Sequence, residues 1–214
     1  MADVEPVLYV LDLDRTLIDV HKVMDLVRSI CQKLDIDYSG IHREREEIEK
    51  RGSAYSPFNY IANNTDISIE EFKKRFISEG KKINLFFDDT AGFIEEVAKK
   101  KRDYMILTYG IDRDWQMLKL ETANLGDVPY FITKNRYKSQ FFTAHTNDLG
   151  IINPALAGLG KYESCVLVDD RDVAFKNFPK NCQGYLLKRG EEVPASPTQG
   201  NIKIINSLSE IDIV

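Results

Sequence analysis

Two aspartates separated by one residue, Asp12 and Asp14, directly follow an apolar run from Val7 to Leu11. The run predicts a buried strand, and strand alternation would direct both carboxylates to the same side. Neighbouring carboxylates repel each other unless a cation lies between them or one of them is protonated. The pair therefore indicates a divalent-cation site or an acid–base pair, although a lone Asp-x-Asp is also typical of an acidic strand end that faces water.

Two further apolar segments end on polar residues that suit the same chemistry. Tyr104–Leu107 is followed by Thr108, and Ser164–Val168 runs into Asp169 and Asp170. The carboxyl ends of parallel strands lie along one edge of a sheet, and ligands bind at that edge. The sequence therefore predicts that Thr108 and the four aspartates gather at one site.

The elements that must position these residues fall into two groups. From Val20 to Asn84 the apolar spacing is helical, beginning with an amphipathic helix over Val20–Leu34, and no segment is typical of a strand. From Thr90, which we predict as a helix cap, short apolar strands alternate with helices to the end of the chain. This alternation predicts an α/β fold with a parallel sheet, interrupted after the first strand by an all-helical insertion.

Composition narrows the function classes. The chain has 214 residues, 43% of them hydrophobic and 29% charged, which is enough for one α/β domain with an insertion or for two small domains. The net charge of −5 argues against a nucleic-acid-binding surface. Cys31, Cys165 and Cys182 are widely spaced and form no CxxC pair, so we expect reduced structural thiols.

We expect a soluble, cytoplasmic protein with no membrane partner. The N-terminal residues are acidic and lack the apolar region of a signal peptide. No apolar run approaches the roughly 18 residues that a membrane-spanning helix needs. The sequence leaves the oligomeric state open.

Taken together, these segments resemble the motifs of the haloacid dehalogenase-like (HAD) hydrolase superfamily. Residues Asp12-Leu13-Asp14-Arg15-Thr16-Leu17 resemble its first motif, DxDx[TV]L. Thr108 ends a strand like that of the second motif, and the paired acids at 169–170 resemble the fourth. The third motif is a lysine, for which Lys138 fits best and Lys134 competes. The resemblance implies a three-layer, Rossmann-like parallel sheet (residues 1–19 and 85–214) with a helical type-1 cap (residues 20–84).

The resemblance also implies roles for individual residues. Asp12 would be the nucleophile that forms an aspartyl-phosphate, and Asp14 would protonate the leaving group and then activate water. Thr108 would hydrogen-bond a phosphoryl oxygen, and Lys138 would offset negative charge. Mg²⁺ would be held by the Asp12 carboxylate, the Asp14 backbone carbonyl and the acids at 169–170.

Three positions qualify this assignment. Asp170 aligns with the acid of the family's common Gly-Asp form, whereas Asp169 occupies the glycine position, so Asp170 is the better candidate ligand. Arg15 stands where relatives often have glycine, and its side chain would reach substrate or solvent. Asp172 would either support the metal shell or cap the following helix.

The resemblance implies a Mg²⁺-dependent phosphatase that acts on a small phosphorylated metabolite. The same residues would also serve a phosphomutase on a sugar phosphate, or remain in a catalytically silent protein that keeps the fold and binds a ligand. Dehalogenation is disfavoured because that branch of the family does not use the second aspartate, and Asp14 is present. The sequence does not identify the substrate.

Overall fold

The structure is a computed structural model, and it describes residues 4–147, 150–154, 157–190 and 200–214. These residues form two compact units. The sheet unit comprises Met1–Leu17, Phe86–Thr108 and Val128–Val214, and the helical unit comprises Ile18–Leu85 and Tyr109–Asp127. Most of the loop that the sequence predicts between Gly190 and Gly200 lies outside the described residues.

The described part of the sheet unit contains a six-stranded sheet. Its strands are β1 (Val4–Leu11), β2 (Asp103–Tyr109), β3 (Tyr130–Thr133), β4 (Lys161–Asp169), β5 (Gln183–Leu187) and β6 (Ile202–Ile205). The spatial order is β3-β2-β1-β4-β5-β6, and β1 pairs in parallel with both β2 and β4. The predicted Rossmann-like α/β fold is therefore confirmed.

Seven α-helices lie among the described residues. They are α1 (Val20–Lys33), α2 (Tyr38–Lys50), α3 (Phe58–Asn64), α4 (Ile69–Gly80), α5 (Thr90–Lys99), α6 (Arg113–Thr122) and α7 (Ser139–His145). Two short 3₁₀ helices, Asp172–Phe175 and Leu208–Glu210, follow β4 and β6. None of the described helices is both long and apolar enough to cross a membrane.

Alternating side chains of β1 face two different helices. Leu8 and Val10 belong to one buried cluster with Phe142 of α7. Tyr9, between them, meets Phe93 of α5 with ring centroids 6.3 Å apart. Because successive strand residues point to opposite faces, α5 and α7 cover opposite sides of the sheet, which gives the sheet unit three layers.

The helical unit is larger than the predicted insertion of residues 20–84. It also includes Tyr109–Asp127, which the sequence analysis assigned to the core. The reason is the indole of Trp115 on α6, which packs edge-on against Phe58 of α3 and Phe76 of α4, with centroids 5.7 and 5.2 Å apart. These aromatic contacts bury α6 among the helices of the insertion.

The N-caps of α5 and α6 are both aspartates. Asp112 caps α6, because its carboxylate accepts a hydrogen bond from the backbone N–H of Trp115 at 3.2 Å. The prediction for Thr90 is wrong: Asp89 occupies the N-cap position of α5, and Thr90 is the first helical residue. The Thr90 hydroxyl instead donates to the backbone carbonyl of Leu17 at 2.9 Å.

Candidate active site

The site begins where β1 and β4 end side by side. Their pairing continues to Leu11 and Val168, and the backbone N–H of Asp12 donates to the carbonyl of Val168 at 3.0 Å. The strand order reverses at this point, because the chain fills one side of β1 with β2 and β3 before it crosses to β4. Ligands of open α/β sheets bind at such reversals, outside the carboxyl ends of the strands.

Three carboxylates converge at this edge, those of Asp12, Asp169 and Asp170. Each offers an oxygen atom, and these atoms lie within 4.8 Å of one another. Asp12 and Asp169 are buried, with 6% and 1% of their surface exposed, and Asp170 is half-buried. An all-oxygen, anionic donor set of this size fits a hard divalent cation such as Mg²⁺. We call Asp12, Asp169, Asp170 and Lys138 the acid cluster.

Lys138 is the cation within the acid cluster. Its side chain is 3% exposed, its ammonium group donates a hydrogen bond to Oδ1 of Asp12, and Nζ lies 2.6 Å from Oδ2 of Asp169. Lys134, the alternative that the sequence left open, is exposed to solvent. Lys138 is thus the lysine that the structure places against Asp12.

One lysine does not neutralise the acid cluster. Burial raises the pKa of Asp12 to about 6, with the charges of Asp169 and Asp14 adding to the effect and Lys138 opposing it. Burial, followed by the charges of Asp12 and Asp169, raises the pKa of Asp170 to about 8, and the opposing charges of Arg171 and Lys138 do not cancel this rise. The cluster therefore carries excess negative charge in a dry setting, and this excess is what a divalent cation would offset.

Burial acts to lower the pKa of Lys138, but the charges of Asp12 and Asp169 outweigh burial, and the pKa is raised. Lys138 therefore keeps its proton and its positive charge. An ammonium group held in this way favours the ionised form of Asp12.

Asp14 lies in a tight turn after β1. The turn is closed by a hydrogen bond from the backbone N–H of Leu17 to the carbonyl of Leu13 at 3.0 Å. Asp14 is half-buried, and its charge contributes to the raised pKa of Asp12. Arg15 is exposed and has a φ of 63°. Glycine adopts this left-handed conformation without the steric cost that a side chain such as that of arginine incurs.

Thr108 lies at the same edge of the sheet. It follows Leu107 in β2, and β2 pairs with β1 up to Ile106 opposite Leu11. Only 1% of Thr108 is exposed. The structure thus brings Asp12, Asp169, Asp170 and Lys138 into one cluster and places Thr108 on the adjacent strand end.

Asp172 lies outside the acid cluster. It is exposed, and its Oδ1 accepts a hydrogen bond from the backbone N–H of Val173 at 2.7 Å at the start of the 3₁₀ helix. Arg171 occupies the N-cap position of that helix. Asp172 is therefore the first residue of this helix and not its N-cap, so the capping role predicted for it is not borne out, and a role in the metal shell stays a prediction.

The sequence analysis missed two cations that contact the loops of this site. Lys188 donates to the backbone carbonyl of Asp170 at 2.8 Å, and Arg189 donates to the backbone carbonyl of Thr16 at 3.0 Å. Both residues directly follow β5, which ends at Leu187. The only sequence signal was their position at the end of an apolar strand, the same signal that identified Thr108.

No protein-family model and no curated protein sequence matches this chain. Solved structures do match. A haloacid dehalogenase-like hydrolase from Burkholderia xenovorans LB400 has 13% sequence identity and a TM-score of 0.62, over 96% of this chain and 94% of that one.

Two further solved structures match over similarly large shares of both chains. A HAD phosphatase from Thermococcus onnurineus has 17% identity and a TM-score of 0.56, over 96% of this chain and 95% of that one. A HAD-hydrolase from Bacillus subtilis, whose structure is bound to magnesium, has 12% identity and a TM-score of 0.53, over 97% of each chain. These matches show that the chain has the haloacid dehalogenase-like fold, as its motifs predicted.

Proposed function

We propose that this protein is a Mg²⁺-dependent phosphohydrolase that acts on a small phosphomonoester. The observation that carries the proposal is the acid cluster itself, in which three carboxylates and one buried lysine meet at the reversal point of a parallel sheet. In a structural ion pair the positive and negative charges balance, whereas this cluster contains more carboxylates than cationic groups. Phosphoryl transfer needs both an anionic nucleophile and cations around it.

In this proposal Asp12 attacks phosphorus and forms an aspartyl-phosphate. Lys138 holds the Asp12 carboxylate in its ionised form and directs one of its oxygens, because the ammonium group donates to Oδ1. Asp14, two residues later in the turn, donates a proton to the leaving oxygen and then accepts one from water. The hydroxyl of Thr108 would hydrogen-bond a phosphoryl oxygen.

Mg²⁺ would be held by the carboxylates of Asp12, Asp169 and Asp170 and by the backbone carbonyl of Asp14, and when bound it would neutralise the charge of the phosphoryl group. The oxygen-only donor set and the raised pKa values of Asp12 and Asp170 support this assignment. The Bacillus subtilis protein of the same fold is bound to magnesium.

The helical unit is the counterpart of the predicted cap. A cap would exclude water from the reaction and select the leaving group, and this role remains a prediction. We likewise keep a small phosphorylated metabolite as the expected substrate.

The decisive experiment measures phosphate release from a generic aryl phosphate with Mg²⁺ and with EDTA. We expect activity that requires Mg²⁺ and falls at least about 10³-fold in Asp12→Asn. Asp103→Asn is the matched control: its carboxylate accepts a hydrogen bond from Tyr162 at 2.7 Å, at the opposite end of β2 from Thr108. Full activity in Asp12→Asn would refute the assigned nucleophile.

The two alternative functions predict different results when the protein is tested with other phosphorylated compounds. Isomerisation of a sugar phosphate without net phosphate release would indicate a phosphomutase, and a protein of this fold from Thermotoga maritima is named as a beta-phosphoglucomutase. Tight binding of one ligand without turnover across a broad phosphate panel would indicate a silent binding protein.

A further inference from the structure

Lys188 and Arg189, which we call the loop clamp, contact two different loops of the candidate site. The ammonium group of Lys188 donates to the backbone carbonyl of Asp170 at 2.8 Å. Nη2 of Arg189 donates to the backbone carbonyl of Thr16 at 3.0 Å. One contact lies in the loop after β4 and the other in the turn after β1, so two adjacent residues join both acid-bearing loops.

The base of the loop clamp is fixed to the sheet. β5 pairs with β6 up to Leu187 opposite Ile205, and the backbone N–H of Lys188 donates to the carbonyl of Ile205 at 2.8 Å. Lys188 therefore starts from a rigid position, and its side chain is half-buried. A donor anchored in this way restricts the peptide that follows Asp170, and with it the direction of the Asp170 carboxylate.

The Arg189 side chain is held on two sides. Its guanidinium makes a bidentate ion pair with Asp89, with Nη1–Oδ2 and Nη2–Oδ1 distances of 2.9 and 2.7 Å. It also lies over the ring of Phe87, 4.0 Å from the centroid. A planar guanidinium with both of these contacts has little freedom to rotate, so its bond to Thr16 is preorganised.

The turn that Arg189 contacts is the one that carries Asp14. The next carbonyl, that of Leu17, accepts hydrogen bonds from the backbone N–H of Phe87 at 3.1 Å and from the hydroxyl of Thr90 at 2.9 Å. The turn is thus fixed at Leu17 by Phe87, which precedes α5, and by Thr90, the first residue of α5. Arg189 adds a contact only two residues after Asp14.

We propose that Lys188 and Arg189 are positioning residues for the cation site, Lys188 for Asp170 and Arg189 for the turn of Asp12 and Asp14. The inference rests on the proposed function, because it concerns the ligands of the proposed Mg²⁺. Residues that orient metal ligands typically contribute 10- to 100-fold to metal affinity or activity. For Lys188→Met we therefore expect an affinity for the cation about tenfold lower.

The test measures cation binding directly, with Mn²⁺ as the probe because it accepts the same oxygen ligands and is detected by electron paramagnetic resonance. The full chain is titrated as wild type, Lys188→Met, Lys188→Arg and Lys203→Met. Lys203 on β6 is exposed and lies over the ring of Tyr185, so it controls for the loss of one lysine from the same region. Thermal unfolding without metal reports the stability of each variant.

We expect weaker Mn²⁺ binding in Lys188→Met, recovery in Lys188→Arg, which restores a cationic donor, and no change in Lys203→Met. If Lys188→Met fails to fold, Lys188→Gln provides the same comparison with a shorter, neutral side chain. Wild-type affinity in the folded neutral variant, or an equal loss in Lys203→Met, overturns the inference.

Failure of the proposed function gives a different result. A wild-type protein that binds Mn²⁺ but releases no phosphate would overturn the phosphatase assignment, while a shift in Lys188→Met would still support the positioning role. A wild-type protein that binds no Mn²⁺ would overturn both proposals, and it differs from failure of the inference alone, where all variants bind Mn²⁺ equally.

Arg189→Lys tests the second half of the loop clamp. It keeps the positive charge but removes the planar fork that reaches both Asp89 and Thr16. We expect kcat for the aryl phosphate to fall more than KM rises, because Asp14 acts in the chemical step. An unchanged kcat in a variant that folds would overturn the role of Arg189.

Discussion

The sheet unit contains two groups of carboxylates that differ in how completely they are satisfied. The carboxylate of Asp89 accepts hydrogen bonds from Nη1 and Nη2 of Arg189, from the hydroxyl of Ser207 and from the backbone N–H of Leu208. In the acid cluster, Lys138 contacts the carboxylates of Asp12 and Asp169, and Oδ1 of Asp169 also accepts a hydrogen bond from the backbone N–H of Arg171. Three carboxylates lie together there, and the pKa of Asp170 stays raised although the charges of Lys138 and Arg171 oppose the rise. Both groups lie within the same fold, so their difference reflects local chemistry.

The pKa shifts have opposite signs. Burial acts to raise the pKa of Asp89, but the bonds from Arg189, Ser207 and Leu208 outweigh it, and the pKa is lowered. Burial and neighbouring charge raise the pKa of Asp12 to about 6 and of Asp170 to about 8. A lowered pKa is typical of a carboxylate in a structural ion pair, whereas raised pKa values in a cluster of carboxylates are typical of a candidate functional site, where we expect the unbalanced charge to reduce stability in the absence of a cation.

The largest expected effect on stability is the loss of the Asp89 charge. Asp89→Asn weakens several charge-assisted bonds, and we expect the free energy of unfolding to fall by about 2 kcal/mol. Urea denaturation at pH 7 measures the change. Because the folded pKa of Asp89 lies below 3.8, its stabilisation is present above pH 3.8 and is lost as the pH falls through the folded value.

The control for this prediction is Asp88→Asn, which removes an exposed neighbouring charge. We expect it to change stability by less than about 0.5 kcal/mol. Equal effects at positions 88 and 89 would contradict the structural role of the Asp89–Arg189 pair.

A smaller effect of opposite sign is expected in the acid cluster. Asp170→Asn removes a destabilising negative charge, so in EDTA its melting temperature should exceed that of wild type by a few degrees at pH 8. The folded pKa of Asp170 is raised from 3.8 to about 8, so wild type loses stability as the pH rises across this window. The gain should therefore be small near pH 4; a loss of stability at pH 8 would contradict the contrast between the two groups.

The smallest expected effect is the pH dependence of stabilisation by Mg²⁺. A cation competes with protons for Asp12 and Asp170, whose pKa values are about 6 and about 8. The rise in melting temperature caused by Mg²⁺ should therefore grow between pH 6 and pH 8. Asp170→Asn should show a reduced rise, and a rise that is equal at both pH values would contradict cation binding at the acid cluster.

Much of the site could be predicted from sequence because its acids follow apolar strands. Asp12, Asp169 and Asp170 lie at or directly after the carboxyl end of a buried apolar strand, and parallel pairing brings the carboxyl ends of neighbouring strands together. The strand-end pattern therefore predicted that the aspartates meet, whereas Lys138 was proposed only from the resemblance to the HAD motifs. The same logic predicted the α/β fold without any contact information.

Other features depend on packing that leaves no local pattern. Lys134 and Lys138 lie in one polar segment, and it is the structure that distinguishes them, because Lys138 is buried in contact with Asp12 and Asp169 whereas Lys134 is exposed. The sequence does not show which unit α6 joins, and the structure assigns it to the helical unit, where Trp115 contacts Phe58 of α3 and Phe76 of α4. Asp89 and Arg189 are 100 residues apart, and nothing near either residue identifies the other as its partner.

The central position of β1 bears on how the protein is synthesised. β1 ends at Leu11, and one of its two edges pairs only with β4, which begins at Lys161. Because β4 comes much later in the chain than β1, that edge of β1 stays unpaired during synthesis until β4 has also left the ribosome. An unpaired apolar edge can pair with other chains, so we expect chains that end before β4 to be more prone to aggregation than chains that include it.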